Sequence, residues 1–326
     1  MSLADITFKT MCEDVLTNGT DTRGQEVRPI WPDTKEKAYT IKQFGVCNVY
    51  DLRKEFPAIT FRKTYIKSSI QEILWIYQKK SNNINDLGLH IWDEWANENG
   101  SIGKAYGYQI GQRYDHHMMN IEDAEREIEK NKKQYPSFSI GSRHIYLKDT
   151  SSKQPERLVK ARIRLDQMDA VIWDLKHNPF SRRIMTNMYS FPDLLDMGLQ
   201  PCAYSTTWNV TDEGGDKLVL NLVVNQRSQD ILAANNWNVC QYAGLLMMVA
   251  QVCDMIPGKM VHMIADAHIY DRHVDIIKEL IERPQYDAPT VTMDPDIKNF
   301  YQFTKDSFKV ENYKTGPQVE NIPIAV

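Results

Sequence analysis

Across residues 66–79, IKSSIQEILWIYQK, the apolar positions recur at helical spacing. Ile66, Ile70, Ile73, Leu74 and Tyr77 share one face, and Trp75 and Ile76 make much of the remainder apolar. The pattern predicts a largely buried helix that carries Glu72 inward. CQYAGLLMMVAQVCDM, about 240–255, predicts a second apolar helix, and VDIIKELIER after His273 a conventional amphipathic one. Strand signals concentrate in the second half: AYSTTWNV, the Gly-Gly turn TDEGGD, then KLVLNLVVNQR and KMVHMIADAHIY, with β-branched content and partial alternation. These elements predict an α/β fold of the α+β type, a large twisted mixed β-sheet covered by helices. NIEDAEREIEKNKKQ, 120–134, is charged on nearly every face and reads as a solvated helix. The stretch 135–165, with broken alternation and the polar KDTSSKQPER, reads as a peripheral excursion or small hairpin. No repeat or low-complexity linker divides the chain, so residues 1–326 read as one domain with a variable segment at about 120–165.

Composition narrows the function classes. The 326 residues are 42% hydrophobic and 25% charged, enough apolar content for a full core. A net charge of −4 gives no global attraction to nucleic acid or anionic membranes, so any phosphate chemistry must rest on local arginines. The start, MSLADITFKTM, lacks the basic and then apolar run of a signal peptide, and the longest apolar stretch, 242–255, is interrupted by Gln251 and Asp254. Cys12, Cys47, Cys202, Cys240 and Cys253 are odd in number and form no CxxC pair, which fits a reduced cytoplasmic setting without structural zinc. His116, His117 and the other histidines lack ligand spacing, so no metal is expected.

Against the acidic background stand three arginine groups: Ser181-Arg182-Arg183, Gln226-Arg227-Ser228 at a strand end, and Arg28 in EVRPIW. Converging guanidinium groups would bind a phosphate bidentately and depress the pKa of a nearby thiol, whereas taken singly each is an ordinary solvated feature. Cys202 follows Pro201 and opens a strand, where it is either a small buried hydrophobe or a thiol at the lip of a sheet; Cys240 and Cys253 lie in the apolar helix and read as core. Glu72 is the sharper anomaly. A buried carboxylate is either paired, here with a nearby lysine, or kept with a raised pKa for acid–base work. His268 and Tyr270 share a face at a strand end, suited to reading a sugar hydroxyl or simply to packing in a core.

Seven stretches resemble, in order, the thymidylate synthases: QEILWIYQ, HIWDEWANENGSIGKAYGYQ, LKHNPFSRR, GLQPCAYSTTW, NQRSQDILAANNWNVCQYA, ADAHIYDRH and the terminal PIAV. The resemblance implies reductive methylation of dUMP to dTMP with 5,10-methylenetetrahydrofolate as one-carbon and hydride donor, no metal, and a cytoplasmic homodimer joined through its sheet. It implies that Cys202 is the nucleophile adding to C6 of uracil and that Glu72 organises water and proton transfer. Asn238 would read the O4 and N3 edge, and Tyr106 would join the catalytic set, near the folate. The dUMP contacts it implies are Arg28, Gln226, Arg227, Ser228, Asp230, His268 and Tyr270 from one subunit, and Arg182 and Arg183 from the other. Trp92, Trp95, Asp230 and Val326 would bound the folate, with the tail closing to exclude water. The chain departs from the family pattern at Ala203 for the usual histidine and at Ile184 after the arginine pair. Ala265-Asp266 replaces Gly-Asp, and Ala233-Ala234-Asn235-Asn236-Trp237-Asn238 replaces Leu-Gly-x-Pro-Phe-Asn. Two rivals remain at this point: a nucleotide hydroxymethylase, in which water captures the methylene, and a non-catalytic nucleotide- or RNA-binding protein of the same fold.

Overall fold

A computed structural model describes residues 2–115, 119–120, 126, 129, 139–147, 157–164 and 166–326. Helix α1 (Leu3–Asn18) is capped by Ser2, whose hydroxyl accepts from the Ala4 amide. Strand β1 (Thr20–Asp21) then pairs with β2 (Thr40–Asp51). β2 is a twelve-residue strand in the first half of the chain, where no strand was expected. Its alternation is hidden in sequence because polar Lys42, Gln43 and Asn48 stand among the apolar positions, and its register comes from the neighbouring strand rather than from its own pattern.

Helix α2 (Ile66–Leu74) continues as a wider π turn over Trp75–Lys79, so the helix expected to Lys79 changes pitch in its last five residues. The turn ends on Lys80, in the left-handed region at φ 55°. Its ammonium is held by Asp166 and by the hydroxyl of Tyr301 at 2.6 Å. The short helix α3 (Gly107–Ile110) leads into β3 (Arg113–Asp115). The peripheral segment is a small sheet in which β3, β4 (Met119–Asn120) and β5 (Ser139–Leu147) all pair antiparallel with β6 (Arg157–Arg164). Of the helix expected over 120–134 only Asn120, Arg126 and Glu129 are described, and His116 and His117 lie outside the described residues.

Helix α4 (Gln167–His177), capped by Asp166, precedes β7 (Met185–Asn187), β8 (Ala203–Thr211), β9 (Val219–Gln226) and β10 (Gln229–Asp230). Helix α5 (Asn235–Val252) begins five residues earlier than its apolar run, because Asn235 and Asn236 are buried with it. Strand β11 (Ile256–Tyr270) crosses the sheet centre, followed by α6 (Val274–Ile281) and the hairpin of β12 (Thr290–Met293) and β13 (Phe308–Glu311). The main sheet runs β1-β2-β11-β9-β8-β7, with β10 also on β11. It is mixed: β9 and β10 run parallel to β11, and the other pairs are antiparallel. Helices α2 and α5 pack against each other at Gly244, where a side chain would meet Ile70.

Register places the chemistry. Ala203 lies opposite Gln226, so Cys202 and Arg227 face one another just beyond the pair, and the Arg227 amide donates to the Cys202 carbonyl at 2.9 Å. Asp230 lies opposite His268. Strand ends that are distant in sequence thereby converge on one lip of the sheet.

Candidate active site

Cys202 is half-buried at that lip. Its backbone N–H donates to the Tyr106 hydroxyl at 3.1 Å, and an Arg227 Nη2 lies 3.8 Å from the sulfur. The guanidinium is itself fixed by the carbonyls of Pro201 (3.0 Å) and Gln200 (2.7 Å). The arginines do depress the thiol pKa as expected, but burial outweighs them. Dense protein around the sulfur pushes it above the ordinary cysteine range, and Arg227, the Tyr106 hydroxyl and Arg28 pull it down without overcoming that burial. Tyr106 is buried and takes a backbone φ of 45°, a sparsely populated conformation for a bulky residue at the start of α3.

Glu72 is buried, and the lysine pairing considered for it does not occur. Its Oε1 accepts from the indole Nε1 of Trp92 at 2.7 Å, and Oε2 from Trp237 Nε1 at 2.5 Å. Burial raises its pKa to about 7, with the two indole donors working in the opposite direction. Trp92 is itself buried and packs edge-on against Tyr106 (5.0 Å between centroids) and Trp95 (5.6 Å). An aromatic wall, Trp95–Trp92–Tyr106, therefore joins the carboxylate to the thiol.

A file of amides crosses the floor of the site. His262, fully enclosed on β11, meets Gln226 Oε1 at 2.7 Å; Gln226 Nε2 donates to the Ser228 carbonyl (3.1 Å) and to Asn238 Oδ1 (3.3 Å); and Asn238 Nδ2 donates to Gln241 Oε1 (2.8 Å). Because Gln226 Oε1 accepts, the other atoms of the file follow in order, and each amide has only one orientation that satisfies its neighbours. The enclosure pushes the His262 pKa down to about 4.

His268 and Tyr270 do share a face, with ring centroids 5.1 Å apart, and His268 Nδ1 lies 2.8 Å from Asp266. Asp230 is half-buried: burial raises its pKa, but His273, His268 and the Ala233 amide hold the carboxylate below its ordinary value on balance. Val326 pairs through both backbone groups with Ile30, at 2.9 and 3.1 Å, two residues from Arg28. Fully buried His273 accompanies that pairing, with Nε2 2.7 Å from the Pro323 carbonyl and Nδ1 3.5 Å from Asp230.

Within the single chain, then, Cys202, Tyr106, Glu72, Trp92, Asn238, Gln226, Arg227, Asp230, His268 and Tyr270 lie in linked contacts, and Arg28 is near enough to act on the thiol. Arg182 and Arg183 are exposed between α4 and β7, and among the described residues no contact joins them to Cys202. Sequence reasoning missed Trp237, His262, Gln241 and His273. The signal for Trp237 was available, since an indole in the first turn of a buried helix requires an acceptor. No helix among the described residues is long and apolar enough to cross a membrane, and among them no cluster of three metal-ligating side chains occurs.

Comparison with known proteins points to one family. A family model described as thymidylate synthase matches residues 6–326. The chain is 35% identical over 322 residues to a thymidylate synthase of Bacillus licheniformis and 33% identical over 322 residues to that of Bacillus phage phi3T, covering 98% of each partner and of itself. Among solved structures it is similar to the thermostable thymidylate synthase A from Bacillus subtilis, with a TM-score of 0.77, 34% identity and 99% of both chains covered.

Proposed function

This chain belongs to the thymidylate synthase family, a family of methyl-transferring enzymes, and on that premise we propose that the lip around Cys202 and Glu72 is where dUMP and 5,10-methylenetetrahydrofolate react. The observation that carries the assignment is the junction of a thiol, a guanidinium, a phenol and a carboxylate poised near neutrality through one aromatic wall.

Cys202 adds through sulfur to C6 of the uracil ring, which requires its thiolate. Arg227 and Arg28 favour that anion, and Tyr106 holds the backbone beside it. Glu72, with a pKa near 7, can hold or release a proton at working pH and so serves proton transfer at the pyrimidine. The amide file orients Asn238 with Oδ1 as acceptor and Nδ2 as donor, each with capacity left over. That pattern complements N3–H and O4 of uracil, whereas cytosine presents the reverse. His268 and Tyr270 hold the deoxyribose hydroxyl. Arg28, Arg227, Ser228 and, across a homodimer, Arg182 and Arg183 of the second subunit hold the phosphate.

The folate supplies the one-carbon unit and the hydride. Trp92, Trp95 and Asp230 bound its ring system, the two indoles packed edge to face and Asp230 a carboxylate held below its ordinary pKa. The tail at Val326 excludes water above it. The homodimer forms through the outer face of the sheet, where Val49 of β2 and Met263 of β11 are exposed. Residues 1–326 form one catalytic domain, with 120–165 as its variable part. Five free cysteines, one of them exposed, suit a cytoplasmic setting.

Mixing the protein with both substrates tests the assignment. The expected result is a rise in dihydrofolate absorbance with dTMP identified by mass, abolished in Cys202→Ser. Hydroxymethyl-dUMP without that rise would replace it with water capture, and dUMP binding without any product would remove catalysis altogether.

A further inference from the structure

Trp237 stands where the family pattern carries phenylalanine, and its side chain adds a hydrogen-bond donor that reaches Glu72. The two oxygens of Glu72 are taken by two indoles from opposite sides. Trp92 belongs to the loop after the π turn and is clamped by rings on both flanks, Trp75 at 6.1 Å and Tyr106 at 5.0 Å. Trp237 belongs to the first turn of α5 and reaches Oε2 at 2.5 Å. An indole donates one N–H and accepts nothing, so neither partner can take the proton from Glu72. Both stabilise the carboxylate over the acid without competing for its proton, and neither contributes a full charge. A lysine in the same place would have lowered the proton affinity far below neutrality. The other titratable groups facing Glu72 are the phenols of Tyr106, before α3, and Tyr242, on α5; burial keeps both neutral, and Cys202 with Arg227 lies beyond Tyr106.

We propose that Trp237 is a positioning residue for Glu72: it fixes the second carboxylate oxygen and, with Trp92, sets the pH at which Glu72 gives up its proton. This rests on the role given to Glu72 above and adds the element of this chain that tunes it. Burial alone would drive the group further toward its neutral form, and the second donor returns it to the range where both forms are available.

Trp237→Phe retains most of the ring and deletes the N–H. Difference infrared titration of the Glu72 carboxyl in the unliganded protein should show its midpoint rising by about one pH unit, the size expected for loss of one hydrogen bond to a charged acceptor. The acid limb of the kcat profile should rise with it, while KM for dUMP stays within about twofold because the amide file is untouched. In the unsubstituted protein the Trp237 indole N–H resonance should titrate near pH 7 with Glu72, a reading that does not depend on the variant folding. An unmoved carboxyl midpoint in the variant, or an indole resonance indifferent to pH, overturns the proposal. A carboxyl midpoint that shifts while the kcat profile stays fixed leaves the cradle standing and overturns instead the proton-transfer role of Glu72.

Discussion

His262 and Glu72 are buried by the same fold and titrate in opposite senses. His262 has its pKa depressed from 6.5 to about 4, so between those values the unfolded chain binds more protons and stability falls as pH falls. Glu72 is raised from 4.5 to about 7, so there the folded chain binds more protons and stability falls as pH rises. The two linkages oppose one another over the shared window. His262→Gln, which can still donate to Gln226, removes only the first; relative to the parent it should be more stable at pH 4 than at pH 7 by about 3 kcal/mol, read from urea unfolding at both pH values. At Cys202 the guanidinium is the largest influence acting against burial. Arg227→Ala should therefore slow alkylation of Cys202 at neutral pH by about tenfold, measured by mass against the other cysteines. An unchanged rate would mean that the thiol owes nothing to that charge.

Helix α2 delivers Glu72 only because α5 lets it come close. A Cβ at Gly244 would lie 2.0 Å from Ile70 Cδ1, and Ile70 is fully buried, so its side chain or the helix must shift. Gly244→Ala should push the helices apart at a cost of about 1–3 kcal/mol, seen as a lower unfolding midpoint, and kcat should fall because Glu72 stands two residues from Ile70. A fully active and stable variant would show that the contact is not the constraint inferred here. The tail is a second case of one element holding another. Val326 bonds Ile30 through both backbone groups, and Pro323 leans on His273, so the end of the chain is tied to the segment that carries Arg28. Removal of Val326 should lower kcat by roughly tenfold or more while dUMP binding by calorimetry changes little, if the tail covers the folate side as proposed.

At the scale of the whole molecule the proposed homodimer turns on the outer sheet face. Val49 is 50% exposed and Met263 40%, on adjoining strands in which Cys47 lies opposite Met263. Lysine at both positions should yield a monomer by sedimentation that also loses activity, because the proposed phosphate site takes Arg182 and Arg183 from the second subunit. An active monomer would defeat the cross-subunit phosphate site. The apolar periodicity that named α2 and the later strands was legible in sequence because burial on one face imposes it residue by residue. The ordered motifs that resemble the family were legible as well, and that resemblance, not periodicity, singled out Cys202, Glu72 and the His268–Tyr270 pair as candidates. Strand β2 was not, since its pairing is dictated by β11 across more than two hundred residues. Nor were the indole partners of Glu72, the amide file or the net rise of the Cys202 pKa. Each of these depends on distances between side chains from separate elements and on how much water the packed fold excludes, and only the tertiary structure fixes either quantity.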